Sequence, residues 1–290
     1  MDWLEYYGAN YTRVNSEQFF RHVSFINEST SPKDVHWFWK WSPPDFSTNL
    51  FSNRNNNNLF KKAIDAEYQK IFRLFFENCQ GSMINHPYYV QIDKLSQIKV
   101  AKRCGLQTPE TIITSKKEEI VSFFKQHKRI INKNLTANEI LLFEGECHQM
   151  FTTLIAKEDL IQMPAEIFPS LFQKYIDKKY EIRTIYIGGE IFSCAIITED
   201  ENSIDVRKSV NENKAYIIPY QLPCEIEEKL KKFMKKAHLQ IGSFDMIYNQ
   251  NDEYVFLELN PSGQFLGYSD RCNYAIEKYI ARYLIESCHE

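Results

Sequence analysis

Apolar side chains recur at helical spacing from Leu59 onward, where Phe60, Ala63, Ile64, Ile71, Phe72 and Phe75 make one stripe. A second helix is predicted over about 94–104, with Leu95, Ile98 and Ala101 inward and Gly105 at its C′ position. Pro109 leads into the β-rich Thr111-Ile112-Ile113-Thr114. Ser115 is expected to cap a third helix, 116–127, and Arg129 to Lys133 reads as a strand. Two amphipathic helices follow later. One covers 225–238, with Ile226, Leu230, Phe233, Met234 and Ala237 on one face; the other covers 274–286, with Ile276, Ile280, Tyr283 and Leu284 inward.

Between these helices the period changes to two. Ile182–Ile187 and Glu190–Thr198 flank Gly188-Gly189, which suits a two-residue primed turn. A second hairpin is predicted from Phe244–Tyr248 and Tyr254–Leu259 across a polar turn. Near the N-terminus, a short helix around Trp3 and an aromatic strand at Val35–Trp39 are expected. Ser42-Pro43-Pro44 and the run Asn53 to Asn58 have loop chemistry. Hairpins dominate the second half and no internal repeat is seen, so the predicted class is α+β.

Composition narrows the setting. A chain of 290 residues with 14% aromatics has enough bulk for one large core or two or three modest ones. A formal charge of −3 gives no general attraction to nucleic acid or to an anionic membrane. No apolar run approaches the roughly 18 residues needed to span a bilayer. Met1-Asp2-Trp3-Leu4-Glu5-Tyr6 has neither the basic start nor the apolar stretch of a secretory signal. Seven cysteines without a CxxC pair argue against a zinc ribbon or disulfide framework, so reduced thiols in a cytoplasm are expected.

The candidate chemistry lies in Val255-Phe256-Leu257-Glu258-Leu259-Asn260-Pro261. Alternation puts Glu258 and Asn260 on one strand face, with Val255, Leu257 and Leu259 directed to the core. Pro261 ends the ladder and leaves Asn260 at a strand end. If the loop is Gln250 to Glu253, Asn249 pairs with Tyr254 and Asp245 lies opposite Glu258. A register change of one residue would turn Asp245 away, unless a bulge compensates. Opposed carboxylates repel unless a cation lies between them, and a carboxylate–amide oxygen set suits magnesium. The same alternation also fits two acids that merely face solvent.

Wider context adds a resemblance. Gly242-Ser243-Phe244-Asp245, followed by Phe256-Leu257-Glu258-Leu259-Asn260-Pro261-Ser262-Gly263-Gln264-Phe265, resembles the end of an ATP-grasp domain. More narrowly it resembles the ATP-grasp peptide maturases of the graspetide group, microviridin-like and grasp-with-SPASM. The resemblance covers roughly residues 80–270, including Asn85-His86-Pro87, Asp93-Lys94-Leu95-Ser96-Gln97 and Gly105-Leu106-Gln107-Thr108-Pro109-Glu110-Thr111.

It implies an ATP-grasp fold with an N-terminal α/β pre-ATP-grasp domain at 1–84. The ATP-grasp domain would cover 85–290, with subdomains at about 85–170 and 171–290. It also implies ATP and magnesium (Mg2+) as cofactors. Asp245, Glu258 and Asn260 correspond to the metal ligands. Lys94 and Lys133 correspond to nucleotide-facing lysines, and Gln173-Lys174-Tyr175-Ile176 to the hinge that reads adenine. Glu181 falls at or near the ribose, with Arg183 towards the phosphates. Arg207 lies in Asp205-Val206-Arg207, with Val206 where an aromatic is common, and would neutralise the transferring phosphoryl group.

The implied activity is ATP-dependent joining of Asp or Glu side chains of a ribosomal precursor peptide, leader plus core, to Ser, Thr or Lys side chains. A radical SAM/SPASM maturation partner and a homodimer belong to the same expectation. A general carboxylate–amine ligase adding amino acids to a peptide or protein C-terminus is a second reading, and a non-catalytic peptide-binding protein a third. The family's opening strand and short polar turn are not found ahead of Asp2-Trp3-Leu4. The stretch Thr136 to Gln149, where a phosphate-covering loop is expected, holds one glycine, Gly145.

Overall fold

The computed structural model describes residues 1–15, 31–39, 57–135, 140–143, 146–149, 152–198 and 215–288. In chain order these form α1 (Asp2–Tyr6), β1 (Val35–Trp37), α2 (Asn57–Asn78) and β2 (Ser82–Ile84). Next come α3 (Lys94–Arg103), β3 (Thr111–Lys116), α4 (Lys117–His127), β4 (Ile130–Lys133), β5 (Ile140–Phe143), β6 (Glu146–Gln149) and β7 (Thr153–Leu154). Helix α5 (Lys157–Gln162) leads to β8 (Glu166–Lys174), β9 (Lys178–Ile187), β10 (Glu190–Thr198) and β11 (Ala215–Tyr220). Then follow α6 (Cys224–Ala237), β12 (Ile241–Asn249), β13 (Tyr254–Asn260), α7 (Leu266–Cys272) and α8 (Ile276–Glu286). Separate helices and antiparallel sheets dominate, which is the expected α+β class.

The chain divides into two compact units, Met1–Val90 with Ala275–Glu290, and Gln91–Tyr274. In the first, β1 and β2 pair in parallel. Helix α2 begins at Asn57, so the asparagine run passes into the helix before Leu59. Among its described side chains Tyr68 and Phe72 are buried, packed with Phe38, Phe75 and Phe76. Ile71, expected inward, is 37% exposed. The aromatic pair sets the facing of this helix. Tyr68 stacks on Phe72 at 6.0 Å, and Phe72 meets Phe76 at 4.7 Å. Ile71 is about 100° around the helix from Phe72 and so leaves the stripe. Helix α8 buries Ile276, Ile280 and Ala281, while the Lys278 ammonium lies 5.3 Å from the Trp3 ring centroid.

Among the described residues the second unit holds two larger sheets and the two-stranded pair β5-β6. Strands β3-β8-β4-β7 form one, packed by α4 and α5 around Ile120, Phe123, Ile130, Leu160 and Phe172. Helix α4 starts at Lys117 rather than after Ser115, because β3 runs on to Lys116. Thr114 Oγ1 accepts the Lys116 N–H, and Ala165 O accepts the Lys117 N–H, so no serine cap is used. The other sheet is antiparallel, ordered β11-β10-β9-β12-β13. Ile187 pairs with Glu190 across the β9–β10 turn, and Gly188 and Gly189 both take positive φ, as a primed turn demands. Helix α6 buries Leu230, Phe233, Met234 and Ala237. The Phe233 ring sits 5.5 Å from Phe244 and 5.3 Å from Phe256. Among the described residues, no helix is long and apolar enough to cross a membrane.

The core face of β13 is not the expected one. Val255, Phe256 and Leu259 are buried, whereas Leu257 is only half-buried. Phe256→Ala is therefore expected to cost about 3–5 kcal/mol in urea denaturation, and Leu257→Ala less than about half of that.

Candidate active site

The departure at Leu257 is what assembles the candidate residues. Close to the turn, Tyr248 pairs with Tyr254, Ile247 with Val255 and Met246 with Phe256. This register is one residue away from the expected Asn249–Tyr254 pairing. Asn249 instead closes the turn, its Oδ1 accepting the N–H groups of Asn251 and Glu253 at 2.9 Å each. Left uncorrected, the shift would turn Asp245 away from Glu258. A bulge intervenes. Leu257 is the extra residue, and beyond it Asp245 faces Glu258, Phe244 faces Leu259 and Ser243 faces Asn260. The expected opposition of Asp245 and Glu258 is present, through the bulge rather than through a four-residue loop.

Strand β9 flanks β12 on its other side, with Arg183 opposite Asp245 and Glu181 opposite Ile247. Arg183 Nη1 donates to Asp245 Oδ1 at 2.5 Å. Arg183, Asp245 and Glu258 thus form a row across three adjacent strands. Burial pulls the Arg183 guanidinium towards neutrality. The charge and hydrogen bond of Asp245, with Tyr268 and Glu258 adding, outweigh this and raise its pKa above the usual arginine value.

Two lysines approach the same acids. Lys94 Nζ donates to Asn134 O at 2.9 Å and lies 3.7 Å from Glu258 Oε2. Asp93 caps α3 through the N–H groups of Leu95 and Ser96, which fixes where Lys94 begins. At the end of β4, burial lowers the Lys133 pKa. Glu258 opposes that shift, Lys94 adds to it, and Asp245 and Glu181 oppose it more weakly. An ammonium held below its ordinary pKa is one that an incoming polyanion would stabilise. Glu181 is itself paired, its Oε1 2.7 Å from Lys178 Nζ.

Asn260 is exposed, and its Oδ1 accepts the Ser262 N–H at 3.1 Å, an Asx turn that ends the strand before Pro261. One oxygen lone pair is left for another partner. Among the described residues, no group of three or more His, Cys, Asp or Glu side chains converges. Two carboxylates and an amide oxygen fill only part of an octahedral shell. Such a set could hold a magnesium ion that completes its shell with other oxygens.

The hinge candidates lie where β8 passes towards β9. Gln173 is buried and its Nε2 donates to Thr111 Oγ1 at 3.0 Å. Lys174 is exposed, and its N–H donates to Glu110 O at 2.9 Å. The Tyr175 N–H donates to Arg129 O at 3.0 Å, and the Arg129 guanidinium lies 3.9 Å over the Tyr175 ring. Ile176 is half-buried. Two hinge amides are therefore already engaged within the protein. Arg207, with the rest of Asp205-Val206-Arg207, lies outside the described residues, as do Ser42-Pro43-Pro44 and Asn53 to Asn56. Within Thr136 to Gln149, the described strands β5 and β6 pair antiparallel.

Other residues seat Arg183, and the sequence pattern did not single them out for that task. The Tyr268 ring centroid lies 5.6 Å from its Cζ. Gly263 packs so closely that a Cβ there would fall 1.7 Å from Ser243 Oγ and 2.8 Å from Arg183 Nη2. Among the described residues, Arg183 Nε and Ser243 Oγ are buried without a hydrogen-bond partner. Gly263, within the Gly263-Gln264-Phe265 stretch of the resemblance, thus lies against the arginine.

A family model described as a RimK-like ATP-grasp domain matches residues 91–284. Glutamate–LysW ligase ArgX of Sulfurisphaera tokodaii is 26% identical over 208 residues, covering 67% of this chain and 69% of that protein. Among solved structures, macrocyclase MdnC bound with precursor peptide MdnA, from Microcystis aeruginosa MRC, has a TM-score of 0.72 at 24% identity. It covers 90% of this chain and 79% of its own. The RiPP-associated ATP-grasp ligase of Chryseobacterium gregarium, in complex with ADP and a leader and core peptide, has a TM-score of 0.75 at 24% identity. The match covers 87% of this chain and 76% of that one. The likeness gives the fold, which is the ATP-grasp fold expected above.

The packing under Arg183 is directly testable. Gly263→Ala is expected to cost about 1–3 kcal/mol by overpacking. In a Ser243→Ala background the same substitution should cost about 1 kcal/mol less, as a double-mutant cycle of thermal denaturation would show.

Proposed function

The chain belongs to the RimK-like ATP-grasp family, and from that premise we propose that it is an ATP-dependent ligase acting on a ribosomal precursor peptide. The reading makes it a graspetide maturase, which activates Asp or Glu side chains and joins them to Ser, Thr or Lys side chains. The observation that carries it is the cross-strand row Arg183–Asp245–Glu258, approached by Lys94 and Lys133. Such a row holds both signs of charge at one place, as binding a metal–nucleotide complex requires.

Each side chain has a task in this reading. Lys94, Lys133 and Arg183 hold the phosphates, and Arg207 joins them at the transferring group. Glu181 meets the ribose, and the segment Gln173 to Ile176 lies along adenine. Asp245, Glu258 and Asn260 would hold magnesium, which on binding supplies charge neutralisation to the phosphate oxygens. A carboxylate is a poor electrophile, so the γ-phosphoryl group of ATP is first transferred to one of its oxygens and ADP leaves. A hydroxyl or amine then attacks the carbonyl carbon, and inorganic phosphate leaves with the C–O bond electrons. No covalent nucleophile from the chain is needed.

The precursor would bring a leader for binding and a core for reaction. A homodimer, a radical SAM/SPASM partner and a cytoplasmic workplace extend the same reading. The sequence relative ArgX favours a second reading, a carboxylate–amine ligase that adds an amino acid to a peptide or protein C-terminus. Mass spectrometry of a co-expressed neighbouring peptide separates the two. Crosslinking removes one water mass per bond, whereas the second activity adds an amino-acid residue.

Glu258→Gln and Asn260→Ala are expected to abolish product formation while circular dichroism stays native. Full ligase activity in both variants would remove the metal assignment. Lys133→Ala should raise the KM for ATP roughly tenfold or more, since it deletes a cation from the phosphate site.

A further inference from the structure

Among the described residues, strand β13 is at the edge of its sheet, so half of its backbone groups face away from β12 without a strand to receive them. Two groups from outside the sheet take their place. Gln107 O accepts the Phe256 N–H at 2.8 Å. Gln97, from α3, does more. Its Oε1 accepts the Leu259 N–H at 2.7 Å, and its Nε2 donates to Leu259 O at 3.0 Å and to Ile92 O at 3.1 Å. One side-chain amide therefore makes to Leu259 the pair of bonds that a neighbouring strand would make. Gln97 is 5% exposed, so these bonds are sheltered from competing water.

The two attachments bracket Leu257, the extra residue of the bulge. Leu259 in turn separates Glu258 from Asn260. A bulge held only by the ladder can migrate by one residue, and a shift past Glu258 would send that carboxylate to the opposite face.

We propose that Gln97 is a positioning residue that locks the register of β13 and keeps Glu258 and Asn260 on the side of Asp245. The inference rests on the magnesium role given to these residues above. Lys94, one turn earlier on α3, reaches Glu258 itself, so a single helix fixes the strand through its backbone and contacts the acid it presents.

Gln97→Met keeps the length and removes all three bonds, while Gln97→Glu keeps an acceptor for the Leu259 N–H. Ile98→Val, in the same helix and also buried, is the control for loss of packing alone. Mn2+ binding in the presence of saturating ADP, followed by electron paramagnetic resonance, reads the site without turnover. Gln97→Met is expected to weaken Mn2+ binding roughly ten- to a hundredfold, as loss of a ligand-orienting partner does. Gln97→Glu should fall between it and the parent, and Ile98→Val should match the parent. Hydrogen exchange of the apoprotein should quicken at 256–260 in Gln97→Met and not in Ile98→Val.

Parent-like Mn2+ binding by Gln97→Met, or equal weakening by Ile98→Val, would overturn the proposal. If Gln97→Met does not fold, parent-like binding and exchange in Gln97→Glu overturn it instead. Failure of the parent protein to bind Mn2+ with ADP would count against the metal reading. The lock itself would then be judged by exchange at 256–260, and unchanged exchange in Gln97→Met would sink it.

Discussion

Two like charges, Asp245 and Glu258, face each other on paired strands, and the surroundings of the candidate site follow from that arrangement. Unscreened, the pair would repel. Arg183 bonds Asp245 from the next strand, Lys94 approaches Glu258 from a helix, and Lys133 adds a third cation held at the expense of its own solvation. These cations are the groups suited to phosphate. The charge balance that lets the acids coexist is therefore also the feature that fits a metal–nucleotide complex.

Bringing a guanidinium into a protein interior needs a shaped seat. Gly263 leaves room where any side chain would strike Ser243 or Arg183, and Tyr268 lies over the charge. Among the described residues, Arg183 Nε and Ser243 Oγ are buried in this seat without hydrogen-bond partners. Unsatisfied buried polar groups of this kind cost on the order of 1–3 kcal/mol each and concentrate where function requires them. The opposite face of the same strands has no such conflict. Phe244 and Phe256 meet Phe233 of α6 there, so one face supplies stability and the other carries the candidate site.

Much of this organisation is legible in the sequence because it depends on local pattern. Gly188-Gly189 marks a primed turn wherever it joins two β-rich runs, and α6 shows its buried face in the spacing of Leu230, Phe233, Met234 and Ala237. The opposition of Asp245 and Glu258 followed from alternation plus an assumed loop. That assumption was wrong by one residue at the turn and was compensated by one residue at Leu257. Ile71 and Ser115 show the limits of the same logic. Helical spacing gives neighbouring apolar positions similar claims to the core, and a serine before a helix is a cap only if the preceding strand stops there.

The sequence by itself determined the fold class, the main hairpins and the side chains eligible for chemistry, since these depend on residue type and short-range period. Only the tertiary structure decided which of those side chains meet. The bulge at Leu257 depends on what packs against the hairpin, and the seat of Arg183 and the amide of Gln97 join residues far apart in the chain. Gln97 and Leu259 are separated by 162 positions. Hydrogen bonds over that distance leave no periodic trace, because each partner satisfies its own local pattern equally well without the other.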